Sequence, residues 1–215
     1  SGQPQPATLP PYSDAVYRRE ASLLPDWYLR AATGGIDAAK AAEFLDLVSA
    51  ACAAVAPFDP VLVMRDYHAE NLLWLPDRRG VARIGLLDFQ DALLGHPAYD
   101  LVSLLEDARR DTSPSLQSGM KQRYIAGTSI DPADFDYAYC AIGTQRNLKI
   151  IGIFARLFLR DGKAGYLDLI PRVWGHLQRD LAHPCLLDLR LWVGRNVPEP
   201  TSVTLNAIRG YADAS

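Results

Sequence analysis

Apolar positions recur at helical spacing in two blocks, separated by a middle stretch of a different kind. Near the start, Val16, Tyr17, Leu23 and Leu24 follow Ser13, a residue suited to capping a helix, and Pro25 predicts a kink or restart before Trp27 and Leu29. Gly34–Gly35 marks the end of that unit. Asp37 predicts the N-cap of a helix carrying Phe44, Val48, Ala51, Cys52 and Val55, stopped near Pro57. The pattern then changes: Val61–Met64, Leu72–Trp74 and Ala82–Leu87 are short apolar runs of strand length, the last two separated by the turn signal Asp77–Gly80. From Pro97 onward it is helical again. Ser113–Pro114 and Asp131–Pro132 each pair a capping residue with a proline at the first helical position, and Asp134 adds a carboxylate to a first turn. One or two long helices are expected over 134–160, another over 168–181, and a short last one from His183–Pro184. The expected fold is mainly α, with a small β hairpin region in the middle. Residues 1–11, containing Pro4, Pro6, Pro10 and Pro11, predict an extended lead-in, 12–194 the folded unit, and 195–215 a tail.

A β patch inside a helical chain reads as the scaffold of a site, and the polar residues it carries support this. The first two strand-like runs would hold Arg65-Asp66-Tyr67-His68-Ala69-Glu70-Asn71 rigidly between them, and Asp88 follows the third. Asp and Asn also favour turns through local side-chain bonds, so neither residue is informative alone. Together, a carboxylate able to accept a hydroxyl proton, an amide and a second carboxylate form a set suited to phosphoryl transfer. Mg²⁺ prefers hard oxygen ligands, and one carboxylate with one amide oxygen suffices beside nucleotide phosphates.

The string from Arg65 to Asn71 resembles the kinase catalytic-loop pattern H-R-D-x-x-x-x-N, with Met64 where that pattern has His. The run from Asp88 through Asp91 to Asp100-Leu-Val resembles the corresponding stretch of the aminoglycoside phosphotransferase and choline kinase superfamily. Arg65–Asn71, Asp100–Asp107, Gln145–Lys149 and Gly152–Arg156 resemble, more narrowly, the bacterial anomeric kinases of N-acetylmuramate and N-acetylglucosamine, which serve cell-wall recycling. The resemblance covers about Tyr12 to Leu187. It implies the helical C-terminal lobe of a protein-kinase-like fold that is α+β when whole, with the catalytic loop at 65–71 and a metal motif at 88–91. It further implies Asp66 as catalytic base, Asn71 and Asp88 as Mg²⁺ ligands, and Arg65 and Asp100 as structural support. ATP and Mg²⁺ are the implied cofactors and an amino sugar the implied substrate. No G-x-G-x-x-G or G-x-x-x-x-G-K-[ST] occurs in the 215 residues. The N-terminal nucleotide-binding lobe is therefore expected as a missing partner, and the chain alone is expected to be inactive.

Other polar residues keep two readings each. His68 is site-adjacent, either a substrate contact or a loop hydrogen-bonder. Asp91 could serve a metal shell or a substrate hydroxyl, or cap a turn at Ala92–Leu94. At 100° per residue Arg146, Lys149, Arg156 and Arg160 share an arc of ~80° on an otherwise apolar helix, so the stripe needs partners. These are either internal carboxylates (Asp107, Asp111, Asp161) or an anionic ligand such as a lactyl carboxylate at Arg146, with Asn147 on a sugar hydroxyl or acetamido group.

Composition narrows the alternatives. Hydrophobic residues are 49% and charged residues 22%, and 22 Lys plus Arg against 25 Asp plus Glu give a net charge of −3. That balance excludes a nucleic-acid or membrane-surface binder working by bulk charge. No apolar run reaches the ~18 residues of a membrane span. Cys52, Cys140 and Cys185 are too few and scattered for a disulfide framework, so a reduced, cytoplasmic setting is expected. The basic stripe disfavours a polycationic aminoglycoside, although an aminoglycoside or small-alcohol phosphotransferase is the nearest rival. A non-catalytic sugar-binding lobe is the rival from another class. A protein kinase fragment fits poorly, because Gln90 stands where D-F-G has Gly and no A-P-E follows.

Overall fold

The computed structural model describes residues 9–55 and 58–213. Most of the expected lead-in, and Pro57 as a helix stop, lie outside the described residues.

Helix α1 (Asp14–Ala21) follows Ser13, whose side chain makes no capping bond. The chain then widens into a π-helical turn, Leu24–Leu29, with Pro25 at its start, and runs on into α2 (Arg30–Thr33). Proline has no N–H to donate back, so the expected kink takes the form of a widened turn. Gly34, at φ +86°, closes α2 by donating to the Arg30 carbonyl at 3.1 Å. Helix α3 (Ala38–Ala53) is capped as predicted, Asp37 accepting the Lys40 N–H at 2.8 Å.

The β region differs from expectation in how it is joined. β1 (Val61–Val63) pairs antiparallel with β4 (Leu93–Gly95), while β2 (Leu72–Trp74) pairs antiparallel with β3 (Ile84–Leu86). The strands flanking the 65–71 loop therefore belong to two separate ribbons. β4 occupies the stretch expected to be a turn. Its pairing is set at long range, since the Leu94 N–H also donates to the Pro10 carbonyl at 2.9 Å and the Tyr12 N–H to the Leu94 carbonyl at 2.7 Å.

The remainder is helical: α4 (Ala98–Leu105), α5 (Pro114–Ala126), α6 (Pro132–Asp161), α7 (Ile170–Asp180), α8 (Leu187–Asn196) and α9 (Ser202–Asp213). Ser113 and Asp131 cap α5 and α6 as expected. α6 is one continuous helix of 30 residues, closed by Gly162 at φ +65°. It forms the axis of the molecule, packing on α7, α4 and the π turn. Leu148, Ile151 and Phe154 from α6 join Leu24, Tyr28, Phe44, Val173 and Leu177 in the main core. A second apolar cluster under the site contains Val63, Tyr99, Val102, Phe135 and Ile142. The expected tail at 195–215 is corrected in part, because α9 seats Leu205 and Ile208 in the main core and packs on α2. Two apolar residues three apart suffice to dock a helix that has too few to stand out in the sequence. Among the described residues, no helix is long and apolar enough to cross a membrane.

Where α6 crosses the π turn it does so at Gly152, where an added Cβ would fall on the Leu23 backbone and lie 2.6 Å from the Leu24 nitrogen. Both neighbours are backbone and cannot rotate away. Gly152→Ala is therefore expected to cost about 1–3 kcal/mol, despite alanine's higher helix propensity. Urea unfolding monitored by circular dichroism would measure this, and an unchanged midpoint would contradict the close approach.

Candidate active site

The loop between β1 and β2 is fixed from three sides. From below, the Asp100 carboxylate in the first turn of α4 accepts the N–H groups of Met64 at 2.8 Å and Arg65 at 3.1 Å. The brace acts on backbone groups that any residue supplies, so Met64 can stand where the resembling pattern has His. Burial pushes the Asp100 carboxyl above the usual range; the two N–H groups and Arg146 oppose that, and Asp66 adds to it. From the core, Ser103 Oγ donates to the Arg65 carbonyl at 3.2 Å and itself accepts from Arg146 Nη2 at 2.9 Å. From α1, the buried Glu20 carboxylate pairs with the Arg65 guanidinium and accepts from Lys149 at 2.9 Å and from the Tyr12 hydroxyl.

On this bed Asp66 is exposed, at the head of a compact turn. Its N–H donates to the Met64 carbonyl at 2.8 Å, and its carbonyl accepts from Asn71 Nδ2 at 2.9 Å. Asn71 Nδ2 also lies 3.4 Å from His68 Nε2. With its nitrogen used by the loop, Asn71 has Oδ1 as the atom to offer a cation. The Leu87 N–H donates to the Asn71 carbonyl at 3.0 Å, continuing the β2–β3 ladder and placing Asp88 beside Asn71. Asp88 is exposed and accepts from Gln90. One carboxylate and one amide oxygen at the foot of one hairpin are hard donors that fit Mg²⁺, which retains water or phosphate oxygens in its remaining positions.

Arg65 (φ +68°) and Asp88 (φ +58°) are the non-glycine residues held in the left-handed region among those described. Such backbone costs of order 1–3 kcal/mol and persists only where the surroundings over-determine it. Here it flanks Asp66 on one side and carries Asp88 itself.

Thus Asp66, Asn71, Asp88, Arg65, His68 and Asp100 come together. Asp91 is exposed at the edge and gives only its carbonyl to Arg65 Nη1, at 3.3 Å; β4 rather than a turn follows it. Arg146 and Asn147 point inward. Asn147 is fully buried, and Nδ2 donates to Glu106 at 2.7 Å and Asp180 at 3.0 Å, which leaves no route to a sugar. The basic stripe is mostly internal: Lys149 pairs with Glu20, and Arg160 with Asp161 at 2.7 Å. Asp111 instead pairs with Arg172 at 3.0 Å, and Asp107 accepts the Arg109 N–H. Sequence reasoning missed Glu20 and Ser103. Glu20 had a signal, since it falls at i+3 and i+4 from Tyr17 and Val16, a carboxylate on an apolar face that needs a cation.

A profile described as "Phosphotransferase enzyme family" matches residues 2–140. The N-acetylmuramate/N-acetylglucosamine kinase of Caulobacter vibrioides is 44% identical over 192 residues, covering 88% of this chain and 53% of that protein. Proteins of the same name from Pseudomonas aeruginosa and Neisseria meningitidis are each 37% identical, covering 81% and 80% of this chain and 52% of their own length. The chain spans about half the length of the curated relatives it matches. The match covers most of the chain, and the chain belongs to the phosphotransferase enzyme family.

Proposed function

We propose that the chain is the helical C-terminal lobe of a cytoplasmic, protein-kinase-like small-molecule kinase. The reaction is transfer of the ATP γ-phosphate to the anomeric hydroxyl of N-acetylmuramate or N-acetylglucosamine. The observation that carries this reading is an exposed Asp66 on a loop clamped through its backbone, with Asn71 and Asp88 beside it. Asp66 orients the acceptor hydroxyl and takes its proton as the oxygen attacks. Asn71 Oδ1 and the Asp88 carboxylate would hold Mg²⁺, which neutralises the nucleotide phosphates when bound. The protein's contribution is positioning and fixed charge, with no covalent step. Asp100, Ser103 and Glu20 keep the loop from relaxing, and so preserve that position.

Neither glycine-rich phosphate-binding motif occurs in the 215 residues, and this reading assigns the nucleotide to a second lobe. Leu73, Trp74, Val81, Leu86, Leu87 and Phe89 expose apolar surface around the β2–β3 hairpin, beside Asp88. This is the surface such a lobe would cover.

The test is ³¹P NMR with MgATP and, in turn, N-acetylmuramate, N-acetylglucosamine and an aminoglycoside, on the chain alone and on the chain joined to a nucleotide-binding lobe. A sugar 1-phosphate resonance is expected from the joined protein and none from the chain alone. Phosphorylation of the aminoglycoside only would overturn the substrate assignment.

A further inference from the structure

The two residues assigned to Mg²⁺ sit on a lightly mounted part of the chain. None of residues 65–91 is buried, so the β2–β3 hairpin that follows Asn71 and leads to Asp88 has no core of its own. It is held together by its backbone ladder and by short-range side-chain bonds. The braces from Asp100, Ser103 and Glu20 all grip Met64 or Arg65, at the entrance of the catalytic loop. They fix Asp66, but the exit of the loop, where Asn71 leads into β2, depends on another contact.

Glu70 makes that contact. Its Oε2 lies 3.2 Å from Arg109 Nε. Among the described residues, this is the one ion pair or hydrogen bond that joins residues 67–90 to the helices. Arg109 is a stiff mount for it. Lying between α4 and α5, its N–H donates to the buried Asp107 carboxylate at 2.9 Å. The preceding residue, Ala108, sits in the main core, and its carbonyl accepts from Arg172 of α7 at 2.8 Å. The Arg109 guanidinium lies over the Tyr166 ring at 5.7 Å, and that ring packs on Phe154 of α6 at 5.1 Å. The stacked guanidinium is ordered before it pairs, which lowers the entropy that an exposed ion pair otherwise costs.

The pair stands partly in water, the Glu70 side chain being 53% exposed and that of Arg109 28%, and pairs of this kind add little to folding stability. Its place in the fold gives it a different use. Phosphoryl transfer needs the acceptor oxygen at Asp66 aligned with the metal at Asn71 and Asp88. Asp66 takes its position from the helices through Met64 and Arg65, and the hairpin takes its own through Glu70.

We infer that Glu70 and Arg109 are positioning residues, whose ion pair sets the angle of the metal-bearing hairpin against the helical body and so the separation of base and metal. This rests on the reading of Asn71 and Asp88 as metal ligands proposed above.

The experiment compares Glu70→Gln, Arg109→Gln, the two combined, and Arg109→Lys. On the chain alone, backbone ¹⁵N relaxation is expected to show order parameters falling across 69–88 in both single Gln variants, with α6 and the urea midpoint unchanged. In the chain joined to a nucleotide-binding lobe, the Mg²⁺ concentration giving half-maximal turnover should rise about two- to fivefold, while the KM for sugar stays the same. The combined variant should be no worse than either single one, because one interaction can be lost only once. Arg109→Lys keeps the charge and should recover part of the loss. Unchanged relaxation across 69–88, or an unmoved Mg²⁺ requirement, would overturn the positioning role. A rise in sugar KM with Arg109→Gln but not with Glu70→Gln would make Arg109 a sugar contact, and would overturn it equally. No sugar phosphate from the joined parent protein would end the acceptor reading, and the relaxation measurement would then decide the positioning role by itself.

Discussion

Replacing Asp66 with asparagine in the chain joined to a nucleotide-binding lobe is expected to lower turnover by about a hundredfold to ten-thousandfold, while sugar affinity stays within a few-fold. Asparagine is isosteric but cannot accept the hydroxyl proton. The loop should keep its shape, because Asp66 is held through its own N–H and carbonyl rather than its carboxylate. The loss should therefore fall on kcat, with KM little changed. Steady-state kinetics on the purified variant decides the matter. Near-full turnover would place the base elsewhere, and a large rise in KM would mean that Asp66 binds sugar rather than activating it.

Removing Glu20 should have the largest effect on stability. Its carboxylate is the shared partner of Arg65 and Lys149, and it also receives the Tyr12 hydroxyl and Gln145 Nε2. Glu20→Ala strands two cations, one of them on a largely buried lysine, and breaking a buried pair in this way costs about 3–5 kcal/mol. Burial raises the carboxyl's pKa, but Lys149, Tyr12 and Arg65 outweigh it and hold it below its ordinary 4.5. A lowered folded-state value means that the contribution is fully present above pH 4.5 and is lost as pH falls through the lower, folded value. Urea titrations of the parent and the variant should thus differ most near neutral pH and converge in acid. A gap that widened as pH fell would contradict the assignment of Glu20 as the anionic partner.

What could be read from the sequence was what local chemistry decides. Asp37, Ser113 and Asp131 cap their helices because capping involves residues two or three apart. The spacing of Asp66, Asn71 and Asp88 singled out three residues that one loop and one hairpin bring together. The misses share a different cause. β4 exists because β1 and the Pro10–Tyr12 backbone pair with it across long sequence separations. α9 is held by Leu205 and Ile208 reaching the main core. The basic stripe was visible, yet its main partner, Glu20, lies 129 positions from Lys149, too far for local spacing to link them. Asn147 looked like a sugar contact only because the carboxylates it serves, Glu106 just past the end of α4 and Asp180 in α7, lie far away in the sequence. Spacing singles out candidate residues, but which way an interior side chain faces is decided by packing.

The left-handed backbone at Arg65 and Asp88 has a consequence for anyone who probes this region by saturation mutagenesis. At those two positions the survivors of a screen will report conformational tolerance before they report chemistry. Valine, isoleucine and threonine should be depleted at both, whatever the selected activity, because a branched β-carbon is disfavoured at φ near +60°. Alanine at 88 would confound loss of the carboxylate with backbone relaxation. Asparagine at 88 accepts the same backbone and keeps a side-chain oxygen while removing the charge, so its phenotype reports the carboxylate's charge rather than backbone relaxation.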